Sequence, residues 1–208
     1  MSLWTIVMPG KSLDLAKSRL SPAATARDLA LAFFQDAVEA ALGSPLTGQL
    51  VVATCDPVIT QWATGRGCLV VDDAEHPGIN SAAHLGAKRS AAANRVAVMV
   101  SDLPAVTPAA ISAALSLAAR HRTAFLADAD GTGTTMWMAE PGHEVRTCFG
   151  AASRTAHRAA GAVDLVDAYG EPADVWPARR DVDTVADLAS ARLLGVGPHT
   201  TVALHAAT

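Results

Sequence analysis

The sequence predicts an α/β protein with a mostly parallel sheet flanked by helices. Short β-branched runs alternate along the chain with alanine-rich stretches of helical period. Half of the 208 residues are hydrophobic, enough for one buried core of ordinary domain size, about 100–200 residues. No internal repeat and no long linker divides the chain, so residues 1–208 read as a single domain.

The first strand is Leu3–Met8, an apolar run too short for a signal peptide and without its basic flank or cleavage site. A helix over Arg27–Leu42 follows, because Leu29, Phe33, Ala37 and Leu42 share one stripe and Gly43 supplies the stop. The strand Gln49–Thr54 completes a first βαβ unit. Next come a helix at Pro57–Thr64, a strand at Cys68–Val71, a helix at Ser81–Ala93 and a strand at Val96–Ser101. A helix at Pro108–Arg120, strands at Thr123–Ala127 and Thr135–Ala139, and helices at Ser153–Ala160 and Thr184–Leu194 complete the pattern. These later helices open on Pro, Ser or Thr, which suit a helix start. Gly195–Thr208 reads as a last strand or a tail.

Sixteen Lys and Arg against twenty Asp and Glu leave a net charge of −4, which excludes the broad basic surface a nucleic acid needs. No run approaches the roughly 18 uninterrupted apolar residues of a membrane span, so a soluble chain without a membrane partner is expected. Cys55, Cys68 and Cys148 suit neither a disulfide framework nor a thiolate zinc site, and a reducing cytoplasm is the expected compartment.

Five segments carry candidate chemistry. After the first strand, Lys11, Lys17 and Arg19 fall within nine residues at the carboxyl end of a buried strand. There, cations can neutralise a triphosphate, or stand as solvated loop charges. Gly10-Lys11-Ser12 is not a phosphate-binding P-loop, because Thr5 stands where that motif needs its first glycine. The strand over Val96–Ser101 delivers Asp102 at its end, where a carboxylate can hold a divalent cation or cap the turn that follows. Asp128 to Thr135 combines two acids, two glycines and three threonines, either an anion cradle or a plain hairpin turn. Phe149 to His157 places Gly150 and Ser153 at a helix start, as an anion site or an ordinary cap, with His157 one turn later on the same face. In Asp181-Val182-Asp183-Thr184, Thr184 and Asp187 form a capping box, which leaves Asp183 to face the same cleft as Asp102. No histidine has a zinc-protease spacing, and no nucleophile elbow is present.

In this order the segments resemble the family of 2-phospho-L-lactate or phosphoenolpyruvate guanylyltransferases of deazaflavin coenzyme F-420 biosynthesis. The residues that carry the resemblance are Pro9, Lys11, Lys17, Ser18, Arg19 and Leu20, then Asp102-Leu103-Pro104, the glycine- and threonine-rich run ending at Thr135, Phe149, Gly150, Ser153 and His157, and Asp181 to Thr184. The resemblance implies a GT-A-like, MobA-like nucleotidyltransferase fold. It also implies GTP and a small phosphorylated three-carbon acid as substrates, with pyrophosphate released. It further implies that Asp102 and Asp183 bind Mg2+, and that Thr135, Gly150 and Ser153 hold the acceptor, with His157 beside them. On this reading Lys11, Lys17 and Arg19 hold the triphosphate, with Lys17, Arg19 and Asp102 carrying the catalysis. Asn80 and Ser81 meet the nucleoside, Asn80 reading a base edge. Gly10 departs from the larger apolar residue the family pattern carries.

Two other readings stand beside it, a MobA-like enzyme for molybdopterin or a sugar phosphate, and a silent nucleotide-binding domain. The first lacks its Gly-Gly-x-Ser-x-Arg-Met-Gly loop here, and the second would lack the cations and carboxylates that are present. The sequence leaves open phosphoenolpyruvate or 2-phospho-L-lactate as acceptor, hand-over of the product to a downstream transferase, and a homodimer.

Overall fold

The computed structural model describes residues 3–10, 12–13, 23–90 and 94–206. Seven strands form one sheet: β1 (Trp4–Pro9), β2 (Thr47–Ala53), β3 (Leu69–Val71), β4 (Arg95–Met99), β5 (Thr123–Ala127), β6 (Thr134–Ala139) and β7 (Val163–Asp164). Their order across the sheet is β3-β2-β1-β4-β6-β5-β7. β1 pairs in parallel with β2 and β4, β2 with β3, and β5 with β7. β6 runs antiparallel to both of its neighbours, β4 and β5. The α/β, mostly parallel architecture is thus present, with one reversed strand inside it.

All six residues of β1 and of β6 are buried, as expected for strands covered on both faces. The covering helices are α1 (Ala23–Gly43), α2 (Pro57–Gly65), α3 (Ile79–Ala87), α4 (Pro108–Ala118), α5 (Ser153–Ala159), α6 (Leu165–Tyr169), α7 (Val185–Leu194) and α8 (Pro198–Ala206). α3 lies against β1 and β2. Its Gly86 permits that approach, because a Cβ there would stand 2.4 Å from Cγ1 of Val7. No helix among the described residues is long and apolar enough to cross a membrane.

Three elements differ from expectation. The chain end at Gly195–Thr208, read as a strand or tail, holds the helix α8, which docks on α1. The stretch between α5 and α7 contains β7, α6 and a 3-10 helix at Ala173–Ala178, all too short to show a hydrophobic period. Helix α3 begins at Ile79, two residues before the expected Ser81, and ends at Ala87.

Candidate active site at the carboxyl edge of the sheet

β1, β2 and β4 all end at one edge of the sheet, where open α/β sheets bind their ligands. Beyond β4 the chain turns through Ser101 and the half-buried Asp102. The carbonyl of Asp102 accepts the amide of Val182 at 3.0 Å, so the strand end is bound to the segment carrying Asp183. These two carboxylates, distant in sequence, are therefore brought into one region, together with Asp181. The Asp181 carboxyl is pushed up to about 7 by burial first, and then by the negative charges of Asp102, Asp128 and Asp183. In the sequence Asp181 stands only as the first residue of the Asp181-Val182-Asp183-Thr184 motif, with no site role of its own. Its signal was the Asp-x-Asp spacing, which places both acids beside the same cap.

Among the described residues, no three of His, Cys, Asp and Glu form a ready-made metal cage. Magnesium does not need one, since it is commonly held by one or two carboxylates plus substrate phosphates. Asp102 and Asp183 suit that donor set, and a divalent cation would offset the negative charge that adds to burial in raising Asp181.

Asp128 closes the β5–β6 hairpin, its carboxylate accepting the amides of Thr132 at 2.9 Å and Gly133 at 2.8 Å. The Asp128–Thr135 run is thus a hairpin turn, one of the two readings its composition allowed. A Cβ at Gly133 would lie 2.4 Å from the Asp128 carboxylate, so only glycine fits. Arg179, fully buried, backs the turn: its Nε donates to the Ala127 carbonyl at 3.0 Å and its Nη2 to that of Asp128 at 2.9 Å. The guanidinium also stacks on Trp176, 4.5 Å from the ring centre.

Thr135 is fully buried in β6, with its hydroxyl 3.5 Å from the Leu126 carbonyl and its own carbonyl accepting the Val100 amide. The segment entering α5 is built on two left-handed residues, Gly150 at φ 134° and Ala152 at φ 55°. Ala152 pays about 1–2 kcal/mol for that conformation. Ser153 follows, buried, its amide donating to the Gly150 carbonyl at 3.1 Å.

His157 is expected beside the acceptor, but its ring is wholly inside the core. Nε2 accepts the Cys148 amide at 2.8 Å, so the ring proton sits on Nδ1, which lies 3.0 Å from the Thr134 hydroxyl. Burial pushes the imidazole down to about 4, with a weak opposing pull from the Ser153 backbone. A neutral, doubly bonded ring contributes position and not charge.

Asn80 is likewise occupied. Its Oδ1 accepts the Thr147 hydroxyl and the Phe149 amide, both at 2.8 Å, and its Nδ2 donates to the Phe149 carbonyl at 3.0 Å. Beside it, between the start of α3 and the strap at 144–147, runs an open groove of about 420 Å3. Ser81, His76, His84 and Arg146 are among the residues lining it.

Lys11, Lys17 and Arg19 lie outside the described residues. Both flanks of Lys11 are anchored: Gly10 donates its amide to Ala53 at 2.8 Å, and Leu13 donates its amide to the Asp56 carboxylate at 3.0 Å. Asp56 also caps α2, accepting the amides of Val58 and Ile59. Gly10 suits this place, since a Cβ would come within 3.3 to 3.4 Å of Thr54 and Ile59.

Residues 4–204 match the family described as "Guanylyl transferase CofC like". The chain belongs to the CofC-like guanylyl transferase family. Among its relatives, a phosphoenolpyruvate guanylyltransferase of Streptomyces coelicolor is 45% identical, over 95% of this chain and 93% of that protein. One of Salinispora arenicola is 43% identical, over 95% of this chain and 92% of its own. In solved structures the fold recurs in a nucleotidyl transferase from Methanothermobacter thermautotroptrophicus, at TM-score 0.60 and 15% identity, over 92% of this chain and 97% of that one. It recurs too in a CMP:2-keto-3-deoxy-manno-octonic acid synthetase, at TM-score 0.50 and 15% identity, over 93% and 98% of the two chains. As a CofC-like protein the chain is a nucleotidyltransferase, and the edge that gathers Asp102, Asp183 and the Gly150 segment is its candidate active site.

Proposed function

We propose that the protein transfers GMP from GTP to phosphoenolpyruvate, releasing pyrophosphate and giving enolpyruvyl-diphospho-guanosine for deazaflavin coenzyme F-420 biosynthesis. The observation that carries this reading is the 43–45% identity, over 95% of the chain, to proteins named for that activity.

A phosphate oxygen of the acceptor attacks the α-phosphorus of GTP in line. A new P–O bond forms as the bond from the α-phosphorus to the bridging oxygen breaks, and pyrophosphate carries away the electron pair. The acceptor phosphate is largely ionised at neutral pH, its second pKa being about 6, so no side-chain nucleophile is called for and a general base is dispensable. The chain's task is positioning and charge neutralisation. Lys11, Lys17 and Arg19 hold the triphosphate and the departing pyrophosphate. Asp102 and Asp183 hold Mg2+, which when bound offsets the charge gathered where the two anions meet. Thr135, Gly150 and Ser153 form the acceptor end, with His157 behind them as support. Ser81 and the groove along α3 face the nucleoside. The diphosphate product then passes to a downstream transferase.

The test is pyrophosphate release in Mg2+ with GTP, ATP or CTP, each against phosphoenolpyruvate and 2-phospho-L-lactate. Release with GTP and phosphoenolpyruvate, abolished in Asp102→Asn, is the expected result. Turnover only with another acceptor, or an undiminished Asp102→Asn rate in limiting Mg2+, would overturn the substrate or the metal assignment respectively.

A further inference from the structure

We infer that Asn80 is a positioning residue, a strut that ties the first turn of α3 to the loop leading into Gly150 and Ser153, and so sets the acceptor end of the site from its nucleotide end. The inference rests on the reaction proposed above, and it replaces a base-reading role for this side chain.

A side-chain amide reads a base edge by offering its carbonyl and an N–H side by side. In Asn80 both acceptor positions of Oδ1 are taken, by the Thr147 hydroxyl and the Phe149 amide, and one N–H is spent on the Phe149 carbonyl. A single N–H remains, and no acceptor to go with it. Asn80 is therefore unable to make the paired contact that would distinguish guanine.

Phe149 is bound to Asn80 through both its amide and its carbonyl, as an antiparallel strand neighbour would bind it. Cys148, between the two residues that Asn80 grips, donates its own amide to His157 at 2.8 Å. Three consecutive residues are thus pinned from opposite sides by two helices, α3 and α5. The next residue is Gly150, where φ of 134° turns the chain toward Ser153. Release of Asn80 frees the leading edge of that turn, while His157 still holds Cys148.

The experiment is steady-state pyrophosphate release with GTP and phosphoenolpyruvate varied separately, in wild type, Asn80→Ala, Asn80→Asp and Thr147→Val. The expected result is a rise in acceptor KM of roughly tenfold or more in Asn80→Ala, the equivalent of about 1.4 kcal/mol. The KM for GTP and the preference for GTP over ATP stay within about twofold of wild type, since no base contact is lost. Asn80→Asp, which keeps an acceptor for Thr147 and Phe149, falls between, and Thr147→Val, which removes one bond only, shifts the acceptor KM in the same direction by less. Should Asn80→Ala not fold, Thr147→Val decides. A weakened GTP interaction with relaxed base choice would overturn the strut in favour of base reading. So would a fall in kcat with both KM values unmoved. If wild type turns over neither acceptor, the proposed reaction fails by itself. The strut is then judged by amide hydrogen exchange at residues 147–149, expected to quicken in Asn80→Ala and Thr147→Val, and overturned if unchanged.

Discussion

The carboxylate of Asp36, buried midway along α1, accepts the backbone amides of His199 at 3.0 Å and Thr200 at 2.9 Å. It caps the first turn of α8 from a helix 163 residues away in sequence. The fit is tight, since a Cβ on Gly197 would fall 2.3 Å from the carboxylate carbon. Asp36→Ala should cost about 2–3 kcal/mol in urea unfolding, because two buried amides lose a charged acceptor. Turnover per folded molecule then reports how far the start of α8, where Gly197 donates its amide to the Pro104 carbonyl at 2.8 Å, steadies the loop that carries Asp102.

His157 makes stability depend on pH. Its folded value of about 4 lies below the ordinary 6.5, so between those values the unfolded chain binds a proton that the folded chain refuses. The contribution is complete above pH 6.5 and is lost as pH falls toward 4, amounting to about 3 kcal/mol. Urea unfolding at pH 7.5 and 4.5 should show this slope in wild type, and less of it in His157→Gln.

Arg179 is expected to resist conservative replacement. Lysine cannot reach the carbonyls of Ala127 and Asp128 together, nor stack on Trp176 as a planar guanidinium does. Arg179→Lys should lose about 2–4 kcal/mol of stability, a desolvated cation having lost partners. Thermal melting against Arg192→Lys, an exposed control, measures it.

The burial of Asp181, and after it the negative charges of Asp102, Asp128 and Asp183, predict a trade between stability and metal binding. At pH 8 without metal, Asp181→Asn should melt higher than wild type, at about 2–4 °C for each kcal/mol of repulsion removed. Added Mg2+ should raise the melting temperature of wild type more than that of Asp102→Asn or Asp183→Asn.

The parts of the fold that were legible in sequence are those whose signals are local. The β-branched runs gave six strands, Thr107 caps α4, and Thr184 with Asp187 forms the capping box at α7. α8 was missed because Pro198 to Ala206 mixes polar and apolar residues without an apolar stripe of helical period, and its cap comes from Asp36. The reversal of β6 depends on its pairing with β4 and β5, which no local pattern records. At the candidate site, Asp102 and Asp183 stood out by their place at a strand end and a helix start. The burial of Asp181 and the prior commitments of Asn80 and His157 arise only when distant segments meet.

The order of strands also governs how the chain is made. Trp4–Pro9 is synthesised before the other strands of the sheet, yet one of its two sheet neighbours, Arg95–Met99, is translated long afterwards, and the strand that closes over β4 later still. Until then an apolar strand waits with one hydrogen-bonding edge open, the kind of edge that recruits other chains. Fragments ending before residue 95 should therefore aggregate, and slowing translation beyond that point should prolong the nascent chain's dependence on chaperones.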